Sequence, residues 1–67
     1  MIKDFIAEKL RDARIDAGLS QKRAAELLHI HPSTLGKKES GDRPVYAAEL
    51  ILFAELYQQP VDYFFAS

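Results

Sequence analysis

Ile2, Ile6, Leu10, Ala13 and Ala17 recur at spacings of four and three, a single apolar stripe that predicts a helix ended by Gly18. Ser20 has the side chain of an N-cap, and Gln21 to Leu28 then reads as a second short helix with Ala24, Ala25 and Leu28 inward. His29-Ile30-His31 interrupts the pattern. Pro32 suits the first position of a third helix, where its missing N–H costs nothing, and that helix runs to Glu39 before Gly41 stops it. Asp42-Arg43-Pro44 reads as a connector. Val45 to Tyr57 is the longest helical stretch, and after Gln58-Gln59-Pro60 a last turn, Val61 to Phe65, is counted as a fifth helix. No segment alternates long enough for a strand, and neither repeats nor low-complexity tracts interrupt the chain. The pattern predicts one all-α domain over residues 1–67.

Length bounds what such a domain can do. A chain of 67 residues buries only about 60% of its unfolded surface, so self-association would add to a modest stability. The absence of cysteine excludes disulfides and thiolate metal sites. No apolar run approaches the length of a membrane span and no secretory leader is apparent, so the expected location is cytoplasmic. The net charge of −1 hides an uneven distribution. All nine basic residues fall in residues 1–43 with seven acids, whereas residues 44–67 hold three acids and no base. Six of the seven aromatics lie in that acidic part. The molecule therefore has one basic end.

Two short helices joined by a few residues have helix-turn-helix geometry, a common arrangement by itself. The residues sharpen it. Leu19-Ser20-Gln21, Ala24-Ala25 with Leu28, Ser33-Thr34-Leu35, and Glu39 with Gly41 and Arg43 resemble the Cro/repressor (Xre-like) helix-turn-helix DNA-binding family over roughly residues 5–65. The resemblance implies a five-helix, lambda-repressor-like fold with its helix-turn-helix unit at about residues 20–40. It also implies a bacterial or phage-encoded, nucleoid-associated regulator of transcription: a phage-type repressor, a restriction-modification controller or an antitoxin paired with a toxin. Three positions depart from the family pattern. His29 stands where glycine is usual, in a turn that favours a left-handed residue. Lys38 stands where an apolar residue is usual, its stem expected to cover the core while its ammonium reaches water. Gly36 lies inside the third helix and weakens it by roughly 1 kcal/mol relative to alanine.

Ser33 and Lys37 are four apart on one face of the third helix, the face that in this family enters the major groove. Base reading is therefore expected from Pro32, Ser33, Thr34, Gly36 and Lys37, and phosphate contact from Gln21, Lys22, Lys38 and Arg43. The resemblance further implies an ion pair between Arg14 and Glu39, tying the first helix to the end of the third. No cofactor is expected. His29 and His31 are two imidazoles without a third obvious ligand, and are read as turn and cap residues rather than a metal site. Nothing orients a Ser33-His31-Glu39 triad, and an enzyme has no supporting residue.

Residues 45–66 are the expected dimerisation region. On a helix, Tyr46, Leu50, Phe53 and Tyr57 form one apolar stripe that looks like the family's core face, and Val45, Ala48, Leu52 and Leu56 form a second. A helix apolar on two sides is normally covered on both. The expected cover is a second copy, meeting at Val45, Leu52, Leu56, Tyr63 and Phe65; the rival cover is the last helix, or Met1 and Ile2, folded over the stripe. The expected partners are thus double-stranded DNA with an inverted-repeat site, a second copy of the chain, and a toxin or other regulatory protein. The alternative function is a helix-turn-helix protein-interaction module with little DNA binding.

Overall fold

A computed structural model describes residues 2–65, and the side chains of residues 5–65. Four α-helices follow one another: α1 (Ile2–Asp16), α2 (Gln21–Leu28), α3 (Pro32–Ser40) and α4 (Ala47–Tyr57). The fifth expected helix is instead a single 3-10 turn, Val61–Phe64. Its bonds run from i to i+3, with the Tyr63 N–H donating to the Pro60 carbonyl and the Phe65 N–H to the Asp62 carbonyl, both at 3.0 Å. Met1, and the Ile2 side chain as a cover for α4, lie outside the described residues.

Local chemistry sets each boundary. The Ser20 hydroxyl accepts the Arg23 N–H at 3.0 Å and opens α2. His29 closes it in the left-handed region, φ 59° and ψ 40°, a conformation that costs a non-glycine residue roughly 1–2 kcal/mol. His31 caps α3: its Nδ1 accepts the Ser33 N–H at 3.1 Å, with Pro32 in the first turn. Gly41 ends α3 at φ 86°. α4 begins two residues later than the apolar spacing suggests. Tyr46 is extended (φ −86°, ψ 153°), and the Glu49 carboxylate accepts its N–H at 3.0 Å, so the helix starts at Ala47. Tyr46 consequently leaves the core stripe and is exposed.

The helices enclose one core. Leu10 and Ala13 of α1, Ala24 and Ala25 of α2, Leu35 of α3 and Phe64 of the closing turn are fully buried, with Leu50, Phe53 and Tyr57 of α4 beside them. Two adjacent alanines let α2 lie close to its neighbours. α1 packs on α3, α4 and the closing turn, and α2 packs on α3 and α4. Phe64, driven inward by the 3-10 turn, seals the end of α1 against α4.

Tyr57 is the unusual member of this core. Its hydroxyl is buried and finds no hydrogen-bond partner among the described residues. Burial, then the Glu39 carboxylate, push its pKa from the ordinary 10 to about 12, with Arg14 opposing. The folded state thus holds this proton more tightly than the unfolded chain. The stability it contributes is complete below pH 10 and is lost as pH rises towards 12, by up to about 3 kcal/mol. Tyr57→Phe should remove that alkaline loss while changing stability at pH 7 by no more than about 1 kcal/mol, because the deleted hydroxyl makes no bond. Denaturant melts of both proteins between pH 7 and 11.5 measure the difference.

Candidate nucleic-acid interface

α3 is divided lengthwise. Leu35, Lys38 and Glu39 face inward and are buried, while Pro32, Ser33 and Lys37 are exposed; Thr34 and Gly36 are half-buried between them. Two charged residues on the buried face are costly unless both are paired. Each is. Glu39 is 7% exposed and receives Arg14 Nε at 2.7 Å and Nη2 at 3.2 Å, a bidentate pair with Arg14 itself 9% exposed. Arg14 Nη1 donates to the Leu19 carbonyl at 2.8 Å, and Gln21 Nε2 donates to Glu39 Oε1 at 3.0 Å. One carboxylate therefore binds α1, the α1–α2 connection and the first residue of α2 to the end of α3.

Lys38 performs the same task on the opposite flank. Its ammonium turns to the protein rather than outward: the residue is 5% exposed, and Nζ donates to the Pro44 carbonyl and to Glu49 Oε1, both at 3.0 Å. The Tyr46 ring centroid lies 5.7 Å away. This corrects the assignment of Lys38 to phosphate contact. With two of its three donors bonded to these acceptors, Lys38 is a staple between α3 and the start of α4.

Lys22, Lys37 and Arg43 lie in or next to the helix-turn-helix unit along the chain. Among the described residues, Lys22, Lys37 and Arg43 make no ion pair, whereas Arg23 pairs with Glu26 at 3.3 Å. Lys37 projects from α3 itself. Arg43 follows the end of α3, its N–H bonded to the Lys37 carbonyl at 3.2 Å. Lys22 follows Gln21, whose amide lies against Gly36. Next to Lys37, the Ser33 hydroxyl lies 2.8 Å from His31 Nδ1, which also accepts the Ser33 N–H.

This layout of two short helices around a left-handed turn matches a known pattern. The family model for the helix-turn-helix domain fits residues 6–62. The chain belongs to that family. It is 33% identical over 64 residues to an uncharacterised HTH-type transcriptional regulator of Rickettsia prowazekii, and equally similar to one of Rickettsia conorii. It is 31% identical to the HTH-type transcriptional regulator RamB of Mycobacterium tuberculosis. The match covers 96% of this chain but 49% and 51% of the two rickettsial proteins and 14% of RamB. The chain thus spans about half the length of the rickettsial relatives it matches.

Among the residues assigned to dimerisation in this helix-turn-helix domain, Leu52 and Phe65 are exposed, and Val45, Leu56 and Tyr63 are half-buried. Tyr63 is partly covered by its own chain, with Lys9 Nζ 4.6 Å from its ring centroid. Two further exposed apolar residues were not singled out in the sequence. Leu27, on the outer side of α2, joins Leu28 and His29 in lining an open groove with Leu52 and Leu56. Ile51, beside Leu52, is equally exposed at 55%. The signal for Leu27 was the Leu27-Leu28 pair, which makes a short helix apolar on two sides. Among the described residues no group of three or more His, Asp or Glu gathers into a metal site.

The buried pair carries a direct consequence. Arg14→Ala strands the Glu39 carboxylate in the interior and should cost about 3–5 kcal/mol, enough to unfold much of a domain this small. Arg11 is exposed, and Arg11→Ala should change stability by less than about 0.5 kcal/mol. Thermal melts followed by circular dichroism compare the two, and equal midpoints would contradict the burial of the pair.

Proposed function

We propose that the chain is a sequence-specific, double-stranded-DNA-binding regulator of transcription that works as a repressor and places α3 in the major groove. The observation that carries this reading is the division of α3. Its inner face is anchored from both flanks by Glu39 and Lys38, and its outer face offers Ser33 and Lys37, while Lys22 and Arg43 in the adjoining segments make no ion pair among the described residues. A rigid helix with polar tips and cations in the adjoining segments suits a duplex, since cations position the protein on phosphates and side chains on the helix discriminate base edges. Membership of the helix-turn-helix family and the names of the relatives support the same reading. Catalysis has no part in it, and cytoplasmic action on the bacterial or phage chromosome follows from it.

The regulator acts as a homodimer. The groove between α2 and α4, lined by Leu27, Leu28, Leu52 and Leu56 with His29 and Glu55, carries exposed leucines of the kind that a second copy covers. Two copies of α3 related by a two-fold axis would meet half-sites about 34 Å apart, so the site is an inverted repeat. A toxin or other regulatory protein competing for the same surface would offer a means of control.

Binding to duplex DNA measured against salt concentration tests the function. Affinity should fall steeply with salt, and Arg43→Ala should weaken all sequences alike and reduce the salt slope by about one phosphate contact. Lys37→Ala should instead relax the preference at one base pair per half-site, a loss of about 1–3 kcal/mol of discrimination. Affinity that ignores salt would favour the protein-interaction module. In sedimentation, wild type should be dimeric at tens of micromolar and Leu52→Glu plus Leu56→Glu monomeric; a monomeric wild type would refute the dimer.

A further inference from the structure

Three open hollows adjoin along the outer side of α4. The first, near the end of that helix, is floored by Leu19, Leu27 and Leu56; the second shares Leu27 and Leu56 and adds Leu28 and Leu52. The third shares Leu28 and Leu52 and reaches Glu49. These shared walls join them into one groove between α2 and α4. It follows the 11 residues of α4, about 16 Å or three helical turns. Leu27 and Leu52 are 41% and 55% exposed within it.

The charge of the groove is one-sided. Asp16 lines the first hollow, Glu55 the second and Glu49 the third, and no lysine or arginine lines any of them. Glu49 is paired with Lys38, whereas Asp16 and Glu55 are exposed and make no ion pair among the described residues. Both stand in the last turn of a helix, Asp16 ending α1 and Glu55 two residues before the end of α4. An acid there opposes the helix dipole, so helix stability accounts for neither. The two acids belong to the two hollows that Leu27 and Leu56 floor in common.

Resting on the reading of this face as an interaction surface, we propose that the regulatory partner it takes is a basic amphipathic helix. An apolar stripe would lie on Leu27, Leu52 and Leu56, and flanking lysines or arginines would pair with Asp16 and Glu55. A second copy covers the leucines but brings no such cation: two copies meeting here carry acids on both sides of one interface, which weakens their association. A helix laid in the groove meets the leucines and both carboxylates at once. The partner therefore displaces the second copy, and with it the pairing of half-sites on DNA.

Fluorescence anisotropy with synthetic helices of about 15 residues tests this, each with leucines at i, i+3, i+4 and i+7. One form carries flanking lysines, the other glutamates in their place. The lysine form should bind the full chain at least about tenfold more tightly, lose affinity as salt rises, and convert the sedimenting dimer to a one-to-one complex. Asp16→Lys with Glu55→Lys, substitutions that suit both helix ends, should reverse the preference. Leu27→Ser with Leu52→Ser, both exposed, should abolish binding of either form. Equal affinity for the two forms would mean that only the apolar floor recruits; a lysine form that still bound the serine variant would place the attraction elsewhere. Either result overturns the proposal. A dimeric wild type that binds neither form would overturn it while leaving the groove as an interface between copies. A monomeric wild type that binds neither would remove the interaction surface itself.

Discussion

The Arg14–Glu39 pair is the constraint on which this small domain depends. Removing both charges from water costs several kcal/mol per ion, and Coulomb attraction offsets that cost only with good geometry and further hydrogen bonds. Here the guanidinium grips the carboxylate with two nitrogens, turns a third to the Leu19 carbonyl, and leaves Glu39 Oε1 to accept from Gln21. Groups from the end of α1, the following connection, the start of α2 and the end of α3 thus meet at one point. In a chain with a core built largely of alanine, leucine and a few aromatics, that junction sets the angle of the helices as well as their contact. The pKa of Tyr57 on α4, raised first by burial, is raised further by the Glu39 carboxylate of the same junction.

Function grows from the asymmetry this creates in α3. The helix is only nine residues long and contains a glycine, so its own propensity is poor. Tertiary anchors compensate. Glu39 ties it towards α1 and α2, and the neighbouring Lys38 ties it towards α4 through Pro44 and Glu49. His31 and Gly41 cap its two ends. Rigidity thus comes from the buried side, and the outer side is left to chemistry: Pro32, Ser33 and Lys37, with the Gln21 amide over Gly36.

Much of the fold was legible in the sequence because it is written in local chemistry. Ser20, Pro32, Gly18 and Gly41 mark boundaries through hydrogen bonds and dihedral preferences that involve only their neighbours, and His29 takes the left-handed turn that its position requires. The Arg14–Glu39 pair spans twenty-five residues and was legible only through the family pattern. Other long-range choices were not. Nothing near Lys38 in the sequence says that its ammonium will find Glu49, and Tyr46 keeps the helical spacing of the core stripe although the Glu49 cap starts α4 after it. The final turn reads as a helix by composition, but its carbonyls accept at i+3 rather than i+4.

The central claim is that Arg14 and Glu39 act as one unit, each tolerable in the interior only because of the other. A double-mutant cycle on unfolding free energy tests it, with Arg14→Met, Glu39→Leu and the combination. The account predicts that each single variant is severely destabilised while the double variant recovers at least about 2 kcal/mol relative to the sum, because it leaves no charge stranded. Additive effects would mean that the two side chains are independent, and that something other than this pair sets α3 in place.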